Sequence, residues 1–155
     1  MANVDRFRRD DDYSTAPVAT GDLIERGDMV GLVSGAVKNA EDTATDVTLT
    51  VMQTAFVKTF AGVAMEDSQV GETAEILIKA KGVFEFACAA ATFARGALVG
   101  PAKQTGDYLE SQKVVAVATE LLAIGRVAKT YAANTTTVLV QIFSTTAGYR
   151  ANAEL

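Results

Sequence analysis

Few side chains in this chain are of types that do acid–base or covalent chemistry, and their spacing narrows the field further. The carboxylate pairs Glu41-Asp42 and Glu66-Asp67 are the candidates for glycosidase-like work, which needs two carboxyl groups flanking one bond. Both pairs stand in stretches that read as loops, where solvated surface charge is the default. Histidine is absent, so no Ser-His-Asp or Cys-His arrangement can be assembled and the commonest metal ligand is missing. The single cysteine, Cys88, cannot close a disulfide within the chain, and its alanine-rich setting reads as a small buried hydrophobe. Asp10-Asp11-Asp12 lacks the spacing and the glycine of a calcium loop. Neither Gly-x-x-x-x-Gly-Lys nor Gly-x-Gly-x-x-Gly occurs. Asn134-Thr135-Thr136 fits a glycosylation sequon, but the threonine run is read as turn-to-strand propensity. Catalytic, cofactor-binding and metal residues are therefore all expected to be none.

Binding chemistry is better represented. Arg6-Phe7-Arg8-Arg9 sets three guanidinium groups around one aromatic ring, next to the acidic triplet and Tyr13. Guanidinium pairs with carboxylate in a bidentate fork, and a phenylalanine can fill a shallow pocket. Nothing in residues 1 to 19 repeats at period 2 or 3.6. The segment reads either as a solvated tail or as an arm that orders against a neighbouring subunit. On the second reading Arg6, Phe7, Arg8, Arg9 and Tyr13 are the interface residues.

These groups must be carried by a body whose class follows from composition. Charged residues are 21% and apolar residues 49% of 155, enough to fold as one core of ordinary size. A net charge of −5 argues against a nucleic-acid partner held by counterion release. No apolar run reaches the roughly 18 residues of a membrane span, and the first residues lack the apolar core of a signal peptide, which points to the cytoplasm of the producing cell.

The body is read as one β-unit used twice. Arg26-Gly27-Asp28-Met29-Val30-Gly31 recurs as Arg95-Gly96-Ala97-Leu98-Val99-Gly100, at an offset of 69. Phe60 to Ile78 recurs in blurred form, at a constant offset of 64 that sets Val63 on Val127, Ala64 on Ala128, Ala74 on Val138, Ile76 on Val140 and Ile78 on Ile142. Strands are expected at Met29 to Val33, whose inner glycine marks a bulge or a close approach, and at the alternating Val47-Thr48-Leu49-Thr50-Val51. Phe56 to Phe60 is expected to continue extended. Further strands are expected at Ala74 to Lys79, Lys81 to Phe86 and Thr137 to Phe143, with loops at Glu66 to Gly71 and Pro101 to Asp107. Cys88 to Phe93 reads as a short helical turn. Residues 112–122 fit one helix or two strands, with strands favoured by Val114, Val115 and Val117. The expected fold is all-β, with eight to ten strands in a small β-barrel or sandwich at 20–143, between an extended arm at 1–19 and a tail at 144–155.

Gly27-Asp28-Met29-Val30, Gly62-Val63-Ala64, Gly71-Glu72, Gly82-Val83, Gly96-Ala97-Leu98-Val99 and Ile124-Gly125-Arg126-Val127-Ala128, in that order, resemble the small capsid cement or decoration proteins of tailed bacteriophages. The resemblance covers about residues 20 to 143 and departs from the family at Ala97, where an acidic residue is usual, and in the long stretch from Lys103 to Lys113. It implies a non-enzymatic head-stabilising protein, made in the host cytoplasm and carried on the virion exterior. Such a protein clamps neighbouring major capsid proteins and associates with itself, as a trimer by preference or a dimer. The alternative is a soluble β-barrel module for a carbohydrate or small ligand, which would require an aromatic platform or open cavity. A hydrolase built on Glu66 and Asp67 would require a third acid converging with them in a cleft.

Overall fold

The computed structural model describes residues 13–43 and 45–144. The body is all-β, and its ten strands among the described residues fall into two five-stranded sets of the same connectivity. The first set comprises β1 (Tyr13–Pro17), β2 (Met29–Val33), β3 (Ala36–Asn39), β4 (Phe60–Ala64) and β5 (Glu75–Lys79), in the order β1-β5-β4-β2-β3. A parallel bridge between Val18 and Val37 brings its two edges together. The second set comprises β6 (Lys81–Phe93), β7 (Leu98–Lys103), β8 (Leu109–Ala116), β9 (Gly125–Val127) and β10 (Tyr131–Phe143), closed as a barrel in the order β10-β6-β8-β7-β9. Its closing contact, β6 on β8, is also parallel, at Cys88↔Val114. Two helices, α1 (Ala40–Thr43) and α2 (Leu49–Thr59), lie between β3 and β4, where the second set has only the 3-10 turn Glu120–Leu122.

The hydrogen bonds establish the duplication and correct its register. Gly27 N–H donates to the Ala64 carbonyl and Ala64 N–H to that of Asp28; Gly96 donates to Val127 and Val127 to Ala97. Met65 N–H donates to Leu77 O as Ala128 N–H does to Leu139 O. The offset of 69 therefore holds for the first strand of the unit. The apparent offset of 64 does not: Gly62 corresponds to Gly125 and Ala64 to Val127, one residue earlier, while Ile76 corresponds to Val138 and Ile78 to Val140, two residues earlier. The cause is steric. A Cβ on Gly62 would collide with the Lys79 carbonyl of β5, and one on Gly125 with the Gln141 carbonyl of β10, so the glycines must superpose.

The same correspondence organises the interior. Ala16, Val18, Ile24, Val30, Val37, Ala61, Ala64, Ile76 and Ile78 fill the first set. Phe86, Cys88, Phe93, Val99, Val114, Ile124, Val127, Val138 and Val140 stand at the equivalent positions of the second. The larger second interior is continuous with α2 and with the outward side chains Met29, Phe60 and Val63 of the first sheet.

Several expected elements differ. The alternation at Val47 to Val51 is not a strand, and Phe56 to Phe60 is not extended up to its end. α2 occupies Leu49 to Thr59 because its buried set, Met52, Gln53, Phe56 and Val57, recurs at helical spacing and seals the space between the sheets. Cys88 to Phe93 is strand and not a helical turn, because ladder pairing with β10 (Phe93↔Tyr131, Ala91↔Thr135) overrides alanine's helix propensity. Pro101 to Lys103 belongs to β7 and not to a loop; Pro101 lacks an N–H to donate, and its carbonyl accepts from Gln53 Nε2 at 2.9 Å. The favoured strand at 112–122 is present as far as Ala116, and the rest is turn. The loop at Glu66 to Gly71, the strand at Ala74 to Lys79 and the irregularity at Gly31 appear as expected. The folded body also reaches beyond 20–143. Tyr13–Pro17 is laddered on β5, and buried Ser144 donates from Oγ to the Phe60 carbonyl at 3.0 Å.

Candidate functional site

A groove of about 430 Å³ lies where the two five-stranded sets meet. Its walls come from four separate stretches: Gly21, Leu23, Glu25 and Asp28 before β2, Asn39, Glu41 and Asp42 at the start of α1, Val70 in the β4–β5 loop, and Glu110, Ser111 and Gln112 of β8. Five of these eleven residues are acidic and none is basic, so the groove presents a concentrated negative field. Leu23 and Val70, 40% and 65% exposed, give it an apolar rim.

Asp28 ties the walls together. Its Oδ2 accepts the Glu25 N–H at 2.9 Å within the turn, and its Oδ1 accepts Gln112 Nε2 at 2.8 Å from the other sheet. Burial pushes its carboxyl above the usual carboxylate range, the two hydrogen bonds oppose that, and the nearby charges of Glu25 and Glu41 add to it. Its counterpart in the second copy is Ala97, packed against the core. The Arg-Gly-Asp turn is thus specialised for a junction that Arg-Gly-Ala does not make.

Asn39 anchors the adjoining wall, donating from Nδ2 to the Leu23 carbonyl and accepting the Asp42 N–H, each at 2.8 Å. Ser111 Oγ accepts the Glu41 N–H from across the junction. Behind this wall lies Asp22, 4% exposed, whose Oδ2 has no hydrogen-bond partner among the described residues. Its pKa is pushed up to about 6, first by burial and then by the adjacent Asp42 carboxylate, while Lys38 and the Asn39 backbone N–H pull it down.

Of the residues singled out from the sequence, Glu41 and Asp42 line this groove, whereas Glu66 and Asp67 are used locally. Glu66 Oε2 accepts the Leu77 N–H and Asp67 Oδ1 the Arg26 N–H, each at 2.7 Å, so both carboxylates fasten turns of the first sheet. No group of three or more Cys, Asp or Glu placed to hold a metal ion is found among the described residues. Cys88 is buried, its thiol raised by desolvation. Tyr13 heads β1, 38% exposed, with Lys79 Nζ 5.3 Å from its ring centroid. Arg6, Phe7, Arg8 and Arg9 lie outside the described residues. The exposed aromatic side chains among the described residues are Tyr13, at the head of β1, and Tyr108, in the loop before β8. Asp22, Asp28 and Gln112 escape a reading of the sequence. The signal that could have found one of them is the Asp28-to-Ala97 difference between otherwise parallel turns. Comparison with family models, with curated proteins and with solved structures gives no match to this chain.

Proposed function

We propose that this protein is a non-enzymatic decoration protein of a tailed-phage capsid, which binds the outer surface of the head and clamps neighbouring major capsid proteins. The observation that carries the reading is where the chain leaves the body. Tyr13 pairs with Lys79 of β5, and Phe143 pairs with Lys81 at the start of β6. Lys79 and Lys81 are two residues apart, within about 7 Å along the backbone. The two ends of the described body therefore lie close together, as the roots of two straps should. The order of glycine-valine motifs that resembles this family supports the same reading, because two pairs of them, at Gly27 and Gly96 and at Gly62 and Gly125, repeat in the fold. A protein present in many copies on a shell needs only modest affinity per strap, since engagement of several subunits at once multiplies the effect. A homotrimer suits three-fold positions of such a lattice, with a dimer as the alternative.

The test is sedimentation of the purified protein with expanded empty heads of the virus that encodes it. Saturation at a fixed ratio to the capsid subunit, with heads that withstand higher temperature, supports the reading and gives the site symmetry. Absence of binding to those heads removes it. Deleting residues 2–12 is expected to leave the melting curve of the body unchanged and to weaken head binding at least tenfold; undiminished binding would reject the strap.

A further inference from the structure

The outer face of α2 lacks the charges that a solvated helix face ordinarily carries. A surface helix buries one stripe and turns charged and polar side chains to water on the other. Here the buried stripe is Met52, Gln53, Phe56 and Val57. The opposite side presents Thr50, Val51, Thr54, Ala55 and Lys58, with Lys58 the one charge among the five. These residues line a hollow of about 320 Å³. Within it Val51, Thr54, Ala55 and Lys58 stand at i, i+3, i+4 and i+7, the four corners of a hole that takes one side chain from a facing helix. Val51 is 51% exposed. Val47, two residues before the helix, is at 73% the most exposed large apolar side chain among the described residues. Covering this end of the helix leaves few polar groups unpaired: the Thr54 hydroxyl already donates to the Thr50 carbonyl at 2.8 Å, and Lys103 Nζ donates to the Val47 carbonyl at 2.6 Å.

We propose that this face pairs with the same face of a second copy of the chain, the two α2 helices packing antiparallel about a two-fold axis that passes between Val51 and Thr54. Val51 of each copy then faces Thr54 of the other and enters its hole. Charge complementarity selects both the occupant and the orientation. The same rotation brings Lys58 of each copy to the Asp46-Val47 end of the other. Neither Lys58 nor Asp46 makes an ion pair among the described residues, and Asp46 is fixed by accepting the Thr48 N–H at 2.8 Å. The ammonium thus meets a held carboxylate while its methylenes cover Val47. A parallel pairing would set Lys58 on Lys58 and Asp46 on Asp46, which like charges disfavour. The second copy of the β-unit has only a 3-10 turn in place of this helix, so each chain offers one such face and the contact closes at two. A helix of 11 residues is about 16 Å long, so the seam covers less than the roughly 800 Å² per partner of a standard interface and belongs to the weak class.

The inference goes beyond the capsid reading, because it concerns a contact that forms without heads. The experiment is sedimentation equilibrium of the full chain alone, at low salt and at concentrations up to about 1 mM, as a weak contact requires. The chain is expected to distribute between monomer and dimer. Val51→Arg is expected to weaken association at least tenfold, and Lys58→Asp and Asp46→Lys at least fivefold each. The variant carrying both exchanges is expected to recover it to within threefold. Val83→Arg, on the exposed side of β6, is expected to change it less than twofold. Thermal melts establish that each variant folds; if Asp46→Lys does not, Val51→Arg and Lys58→Asp decide the matter. A chain that stays monomeric, a trimer as the end species, a Val51→Arg variant that associates unchanged, a Val83→Arg variant weakened as much, or a folded double exchange that fails to recover overturns the inference. Dimerisation without head binding retains this contact and removes the capsid role. Head binding by a chain that stays monomeric does the reverse.

Discussion

Asp22 is the residue at which burial and charge conflict most openly. A carboxyl held at about 6 when folded and near 3.8 when unfolded binds more protons in the native state between those values. Its effect on stability is therefore a penalty, absent below about pH 4, growing as pH rises and complete above about pH 6. Asn in its place keeps an acceptor for the Asn39 N–H and adds an N–H₂ that faces the Asp42 carboxylate. Asp22→Asn is expected to stabilise the protein at pH 7 by on the order of 1 kcal/mol, or a few degrees in melting temperature, and to have little effect at pH 4. Melts across that range check this; a stabilisation that did not diminish with acid would assign the effect to packing. Asp28 behaves differently, since both its oxygens are paired. Asp28→Ala is expected to cost about 1–2 kcal/mol by leaving the Glu25 N–H and Gln112 without their acceptor. If Gln112→Ala added its own full cost on top, the two residues would not act through their shared bond.

At the scale of elements, the two copies of the unit are held in register by backbone crowding. Gly62 and Gly125 each lie where a side chain would enter a neighbouring strand's carbonyl, whereas a Cβ on Gly21 meets nothing within 4 Å. Gly62→Ala and Gly125→Ala are each expected to cost upwards of about 3 kcal/mol, and Gly21→Ala less than about 1 kcal/mol. Denaturant midpoints of the three variants check this, and equal midpoints would reject the steric account. The same glycines explain what the sequence conveys and what it hides. The Arg-Gly repeat is legible because Gly27 and Gly96 occupy the same left-handed turn, φ 100° and 87°, which few other residues tolerate. The second strand pair is misaligned from sequence because Val-Ala matches Val-Ala one residue away from the alignment the glycines require. α2 is misread because Thr48 and Thr50 alternate with Val47, Leu49 and Val51 at its start, while the helical set begins only at Met52. The groove is hidden for another reason. Its four wall segments are far apart in the chain, and only the fold brings Asp28 to Gln112, so loop carboxylates such as Glu41 and Asp42 look like ordinary surface charge.

For the whole molecule, duplication raises the question of whether the halves are independent. The first interior is self-contained, but the second is continuous with Met52, Phe56 and Val57 of α2 and with Met29, Phe60 and Val63 on the back of the first sheet. Phe56 and Phe60, both fully buried with ring centroids 5.6 Å apart, stand at the centre of that continuity. Gln53 to Pro101 and Asp28 to Gln112 add polar links across the same junction. Separating the halves would expose this apolar surface, so neither half gains by unfolding alone and the chain should unfold as one unit. Ile78→Val in the first interior and its counterpart position, through Val140→Ala in the second, should each lower the midpoint of a single shared transition. Phe56→Ala, which empties the junction, should cost about 3–5 kcal/mol and is the variant most apt to break the coupling. Tyr131 fluorescence reports on the barrel and Tyr13 on the first sheet, so single-tyrosine variants distinguish the halves. Coincident curves for the parent and separated curves for Phe56→Ala would show that the helix inserted into the first copy joins two repeats into one body. Separate transitions in the parent would show two halves that merely adjoin, and the groove between them would then open and close with their relative motion.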